Sequence, residues 1–251
     1  MPNPSVALVT GANQGIGLQI AKDLARHGVT VLVGARDLAR GEAAARSIDG
    51  DARAIQLDVT VQASIDAAAQ RIRRELGRLD ILVNNAGIAH AGPAQRTLAE
   101  IVAAGRASVA SMAEVRAVFD TNVFGVIAVT QAMLALLRAA PAGRIVNVSS
   151  GRSSLTLASA PGERRRREMF GVTYAASKAA LNAVTLAFAF DLAATNIKVN
   201  AAAPGFTVTA LNGFEGRRTV EEAAREPVRL ALLGPDGPTG TFSDDNGPIP
   251  W

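Results

Sequence analysis

The chain has 251 residues, 49% of them hydrophobic, which is enough for one large α/β domain with a buried core and no covalent staples. The absence of cysteine excludes disulfides and thiolate metal sites and suits a reducing compartment, so a cytoplasmic protein without a metal is expected. The formal net charge of +4 rests on arginines dispersed among acids, so nucleic acid is not an expected partner; no leader peptide and no apolar run fit to cross a membrane is read.

Residues 6–9 are a short apolar run bounded by turn signals, as in a buried parallel strand. Thr10-Gly11-Ala12-Asn13-Gln14-Gly15-Ile16-Gly17 follows at once, and the pattern predicts an amphipathic helix over 18–26. In a strand–turn–helix setting, glycines let a pyrophosphate approach backbone N–H groups at a helix N-terminus; an ordinary tight turn is the competing reading. A second strand over 29–34 ends in Gly34-Ala35-Arg36-Asp37. Arg36, with Arg40 behind it, suits the 2′-phosphate of NADP through paired N–H donors. Asp37 suits either the ribose of NAD or the cap of a helix over 38–48, and the balance favours NADP.

A third strand over 52–57 closes on Asp58-Val59, where the acid either accepts from an adenine amino group or caps a helix over 62–75. A fourth over 79–83 runs into Asn84-Asn85-Ala86-Gly87. The two amides either brace neighbouring backbones beside a cofactor cleft or make an Asx turn. The pattern loosens over 88–106, apart from a short helix over 97–104. A long amphipathic helix covers 112–138, and Asn122 within it, a poor helix former, signals a bend or an internal water. A fifth strand over 143–148 delivers Ser149 and Ser150 to the carboxyl edge of the sheet, where parallel sheets bind ligands. Residues 151–171 read as a long connection with little periodicity, and the run Glu163-Arg164-Arg165-Arg166-Arg167-Glu168 as a solvated face or a lid.

Tyr174-Ala175-Ala176-Ser177-Lys178 opens a helix over 174–194 and holds the chain's one tyrosine and one of its three lysines. Side chains four apart share a helical face. An ammonium beside a phenol is expected to pull the phenol below its free pKa of about 10 and make it a proton donor near neutrality. A sixth strand over 197–201 leads into Pro204-Gly205-Phe206-Thr207-Val208-Thr209. A helix over 220–232 and a strand over 239–242 follow, and the turn-rich stretch 244–251 ends in Trp251, expected to fold back on the body.

Thr10-Gly11-x-x-x-Gly15-x-Gly17, Asn84-Asn85-Ala86-Gly87, Asn122, Ser150, Tyr174-x-x-x-Lys178 and Pro204-Gly205 with Thr209, in that order, resemble the short-chain dehydrogenase/reductase family over nearly the whole chain. Gly34-Ala35-Arg36-Asp37-x-x-Arg40-Gly41, the Val123-Phe124-Gly125 after Asn122 and an enlarged segment before Tyr174 are similar to the family's NADPH-dependent carbonyl reductases. The resemblance implies one Rossmann-like α/β domain over 1–251, a doubly wound parallel sheet of about seven strands with helices on both faces. It implies Tyr174 as acid/base, Lys178 as its electrostatic partner and ribose contact, Ser150 at the substrate carbonyl, and Asn122 holding a water that links Lys178 to solvent. Ser150, not Ser149, matches the second serine of the family's Asn-x-Ser-Ser run.

Further implied contacts to NADPH are Gly11, Asn13, Gln14, Gly15, Ile16 and Gly17 at the glycine turn, Arg36 and Arg40, Asp58 and Val59 at the adenine, and Asn85, Ala86 and Gly87 toward the ribose. Pro204, Gly205 and Thr207 would lie over the nicotinamide, with Thr209 near the pyrophosphate. Gln14 departs from the basic residue NADPH-preferring relatives often carry, leaving Arg36 less help. The implied activity is reduction of a small-molecule ketone or aldehyde carbonyl. The alternatives are an NAD-linked alcohol dehydrogenase and a non-catalytic NADP-sensing regulator; an epimerase or dehydratase of the extended branch needs a longer substrate domain than the residues after Val199 supply. The enlarged segments 88–113 and 151–171 are expected to shape the substrate mouth, with Leu155, Phe206, Leu211 and Phe214 as apolar lining and Arg152 as an anchor for an acidic group. The second segment also implies a monomer or dimer in place of a tetramer.

Overall fold

A computed structural model of the protein describes residues 4–93, 96–162 and 167–251. Eight strands form one sheet: β1 (Val6–Val9), β2 (Thr30–Ala35), β3 (Ala52–Gln56), β4 (Ile81–Asn84), β5 (Arg144–Val148), β6 (Lys198–Ala202), β7 (Phe242–Asp244) and β8 (Gly247–Pro248). Their order is β3-β2-β1-β4-β5-β6-β7-β8. Strands β1 to β7 pair in parallel, and β8 closes the edge antiparallel to β7.

Helices lying wholly within the described residues include α1 (Gly15–Arg26), α2 (Leu38–Arg46), α3 (Gln62–Leu76), α4 (Leu98–Ala104), α5 (Met112–Phe119), α6 (Gly125–Arg138), α7 (Leu155–Ser159), α8 (Tyr174–Asp191) and α9 (Val220–Ala231). Alternate strand side chains serve opposite faces. Ala7, Val9, Val31, Val33, Val83 and Val146 pack with Ile20 and Leu24 of α1 and Val228 of α9. Leu8, Leu32, Leu82, Ile145 and Val199 pack with Ile65 of α3, Met133 of α6 and Ala189 of α8. With both faces covered, the strands carry continuous apolar sequence. The order reverses between β1 and β4, which opens a crevice at their carboxyl ends, where sheets of this topology bind ligands.

The structure corrects several expectations. The sheet has eight strands, not about seven, because Asp244 and Gly247 pair across Asp245-Asn246, with Asn246 N donating to Asp244 Oδ1 (2.8 Å). The Asn-Gly pair that signals such a hairpin was present but followed only three paired residues. Strand β7 lies at Phe242–Asp244, not at 239–242. Trp251 does fold back, stacking on Phe242 with ring centroids 5.5 Å apart. Residues 151–171 hold a 3₁₀ turn (Gly151–Ser153) and α7, where no periodicity was read, because each element is shorter than two turns. The helix over Met112–Arg138 is continuous but widens to a π turn at Asp120–Phe124, around Asn122. That helix is long and apolar enough to cross a membrane by length and composition, against the expectation that no segment is. Here half of its most apolar window is buried, with Val126, Val129, Met133 and Leu137 facing the core.

Candidate active site

The glycine turn after β1 is pressed against the loop after β4. Gly11 and Gly15 hold φ of +63° and +57°, which L side chains rarely adopt. A Cβ on Gly17 would sit 2.3 Å from Asn85 Nδ2, and one on Gly11 3.0 Å from Ala86 Cα. Asn85 Nδ2 donates to Thr10 O (2.9 Å) and Gly11 O (3.2 Å), while Thr10 Oγ1 accepts from Asn85 N and Ala86 N. Asn85 thus braces neighbouring backbone. Asn13 and Ile16 are half-buried and Gln14 is exposed; as N-cap of α1, Gln14 makes no side-chain capping bond, so the helix presents its first N–H groups toward the crevice. The nearest atom to a Cβ on Gly15 would be Thr209 Cγ2, at 3.7 Å, so Thr209 stands across the turn.

At the end of β2, Arg36, Asp37 and Arg40 are exposed. Asp37 caps α2, accepting from Arg40 N at 3.1 Å, with Arg40 Nε 3.8 Å away. Asp58 does not cap α3, whose N-cap is Val61; its Oδ1 accepts from Thr60 N and Thr60 Oγ1 in a tight turn instead. Buried Val59 presents its carbonyl 2.7 Å from where a Cβ on Gly125 would lie, which explains that glycine after the π turn.

A buried polar chain joins β4, β5 and α8. Asn84 Nδ2 donates to Asn147 Oδ1 (2.9 Å) and Thr130 Oγ1 (3.1 Å); Asn147 Nδ2 donates to Thr185 Oγ1 (2.9 Å), and Thr185 Oγ1 to Leu181 O (2.8 Å). Asn122 is fully buried. Its Oδ1 accepts from Ile88 N (2.9 Å), and its Nδ2 donates to Ile88 O (2.9 Å) and Ser177 Oγ (3.0 Å). A Cβ on Gly87 would stand 3.2 Å from Asn122 Oδ1 and 3.4 Å from Lys178 Nζ. Asn122, Gly87 and Lys178 therefore meet at one point.

The two serines after β5 differ. Ser149 is buried and donates to Asn182 Oδ1 at 2.6 Å. Ser150 is half-exposed, its Oγ accepts from Arg152 N (3.3 Å), and it stands close enough to Tyr174 to favour the ionised phenol. Lys178 Nζ lies 5.9 Å from the centre of the Tyr174 ring and donates to Val148 O at 2.8 Å. Burial pushes the Tyr174 phenol above its ordinary value, against the opposing pull of Ser150 and the charge of Arg152. Burial also lowers Lys178 to about 8. The expected downward shift of the phenol is thus reversed: desolvation outweighs the neighbouring charges. The start of α8 is fixed by backbone contact, since Val172 N donates to Gly105 O (2.9 Å) and a Cβ on Gly171 would lie 2.5 Å from that oxygen.

Beyond β6, Pro204 is buried, Gly205 is exposed with φ +78°, and Thr207 Oγ1 donates to Pro204 O at 3.3 Å. Arg164 to Arg166 lie outside the described residues, whereas Arg167 Nη2 donates to Ala160 O at 2.7 Å. Sequence reasoning quoted Thr10 and Ser177 within motifs without giving either a role and passed over Asn182, whose only signal was a polar residue four positions after Lys178. Among the described residues no group of three or more His, Asp or Glu could hold a metal.

The family model described as short chain dehydrogenase matches residues 5–219. The short-chain dehydrogenase anuI of Penicillium roqueforti is 37% identical over 97% of this chain and 95% of its own. Human carbonyl reductase [NADPH] 1 is 34% identical, with 98% of each chain covered. The solved structure of salutaridine reductase from Papaver somniferum superposes with a TM-score of 0.79 at 30% identity, over 95% of this chain and 99% of that one.

Proposed function

For this chain, which belongs to the short-chain dehydrogenase family and is an oxidoreductase, we propose the reduction of a small-molecule ketone or aldehyde to an alcohol with NADPH. The observation that carries it is the meeting of Ser150, Tyr174 and Lys178 at the carboxyl edge of the sheet, beside the crevice between β1 and β4. The residues present fit the cofactor. Gly11 and Gly17 have no room for a side chain against Ala86 and Asn85, and α1 begins at this turn, as a pyrophosphate requires.

Arg36 suits a 2′-phosphate, and Asp37 has one carboxylate oxygen engaged in capping α2. Asp58, Val59, Asn85 to Gly87 and Pro204 to Thr209 line the rest of the cofactor site in this reading. The name of the human relative, carbonyl reductase [NADPH], supports the same choice.

The nicotinamide, when bound, supplies the hydride. Ser150 and Tyr174 donate hydrogen bonds to the substrate oxygen, where negative charge builds. Tyr174 gives up its proton to that oxygen. Its neutral phenol is favoured by burial, so the acid form is the resting one. Lys178, near 8, returns the proton. The Asn122 side chain is held by Ile88 and Ser177 and lies beside Gly87, next to Lys178 Nζ.

Tyr174→Phe tests this. Turnover of aromatic ketones and diketones, followed by NADPH oxidation, should fall by at least ~10²-fold, the contribution of a positioned proton donor. NADPH binding should persist. Unchanged turnover sinks the assignment.

A further inference from the structure

We propose that segment 244–251 is a positioning strap that holds two walls of the site at once, Asp245 gripping the loop after β6 and Trp251 gripping the turn after Ser150. The inference rests on the reading above of where that site lies.

The first wall is the loop from Pro204 to Arg218. Its base is closed by backbone bonds: Phe206 O accepts from Arg217 N (2.8 Å) and Arg218 N (3.0 Å), and Val208 N donates to Arg218 O (2.9 Å). The Arg218 stem lies under Gly205, with its Cδ 2.6 Å from where a Cβ would stand. The guanidinium then reaches segment 244–251. Nη1 donates to Asp245 Oδ1 at 2.7 Å, Nη2 to Asp245 Oδ2, and Nη2 also to Glu222 O at 3.0 Å. A two-point guanidinium–carboxylate pair fixes orientation as well as distance. With both side chains less than a quarter exposed (23% and 22%), water screens this pair less than an open surface one. Asp245 thus sets where Pro204 to Thr209, the proposed nicotinamide and pyrophosphate contacts, can lie.

The second wall is the segment after β5. Trp251 O accepts from Thr156 N at 3.0 Å, and Thr156 lies in α7. The 3₁₀ turn just before α7 is bonded to Ser150 three times, by Arg152 N to its Oγ (3.3 Å) and by Ser153 N (2.9 Å) and Ser153 Oγ (2.6 Å) to its carbonyl. Trp251 is itself anchored. Its ring stacks on Phe242, and it packs with Ile249 against Ala201 and Ala203 of the β6 exit. Ile249 N donates to Phe242 O at 2.8 Å. The hairpin Asp244–Gly247 makes one rigid link of the two grips.

The two ends should fail differently. In the full chain, Asp245→Asn should weaken NADPH binding about tenfold or more, as misplacement of a contact loop by ~1 Å can do, with kcat at saturating NADPH nearly kept. Trp251→Ala should instead lower kcat about tenfold or more through Ser150, with NADPH affinity unchanged. Trp251→Leu, which keeps apolar bulk without the stacking ring, replaces Trp251→Ala if that chain does not fold. Trp251→Phe should restore the stack and wild-type kcat. Parallel losses of affinity and kcat in both variants, tracking a lowered Tm, overturn the strap and leave a merely structural segment; unaltered kinetics in both overturn it as well. A wild-type chain without Tyr174-dependent turnover overturns the reading of the site and the strap with it, whereas an active wild type with unsplit variants overturns the strap alone.

Discussion

Burial acts on Lys178 and Tyr174 in one chemical sense, favouring the neutral amine and the neutral phenol. For the lysine this becomes a stability statement. Its folded value is about 8, and an unfolded lysine titrates near ~10.4. Between these values the unfolded chain binds more protons, so stability rises with pH across that window. Urea midpoints of the ligand-free protein should therefore climb from pH 8 to pH 10, and Lys178→Met should flatten the rise; a flat wild-type profile refutes it. Arg36 gives a second residue-scale expectation. A charge-assisted bond contributes ~1.5–3 kcal/mol, so Arg36→Ala should cost roughly 10- to 100-fold in kcat/KM for NADPH. The value for NADH should hardly move, and paired saturation curves check it. Spacing alone put Tyr174 and Lys178 on one helical face. The direction of the phenol shift depends on depth below the surface, which spacing does not encode.

At the scale of elements, the start of α8 is held by Gly171 against Gly105, two backbones in contact. Gly171→Ala would drive a methyl group to 2.5 Å from Gly105 O, an atom that cannot swing aside. A loss of about 1–3 kcal/mol is expected, the usual cost of overpacking, with reduced turnover because Tyr174 begins that helix. Gly234→Ala, with nothing within 4 Å of the added carbon, is the control. Thermal melts and NADPH oxidation on both variants decide it, and equal melts would be a contradiction. Long elements were legible because their apolar period repeats several times: α3 begins at Gln62 and α8 opens on Tyr174, as the pattern predicts. What stayed hidden was short or cooperative. Helix α7 repeats nothing, β8 is two residues long, and the π turn differs from α-helix only by one extra residue in its ring.

At the scale of the molecule, we propose a monomer or dimer, which the enlarged segment before α8 implies through the family resemblance. Sedimentation velocity at micromolar concentration should show no four-chain species. Exposed Phe124 and Phe190 are apolar groups that a pairing of chains would cover. The fold class and the crevice were readable from the alternation of strand and helix, because a parallel sheet needs a crossover between neighbouring strands. The joining of distant loops by Asp245 and Trp251 was not, since local patterns hold no distances across the fold. The Asn84–Asn147–Thr185 chain carries one more consequence, for how such a sequence can drift over generations. A hydrocarbon at Asn84 or Thr185 strips Asn147 of a partner in a dry interior, whereas Asn84 Nδ2 keeps Thr130 and Thr185 Oγ1 keeps Leu181 O when Asn147 is lost. A lone exchange at Asn84 or Thr185 should cost about 1–3 kcal/mol, and a matched change at Asn147 should recover part of that loss.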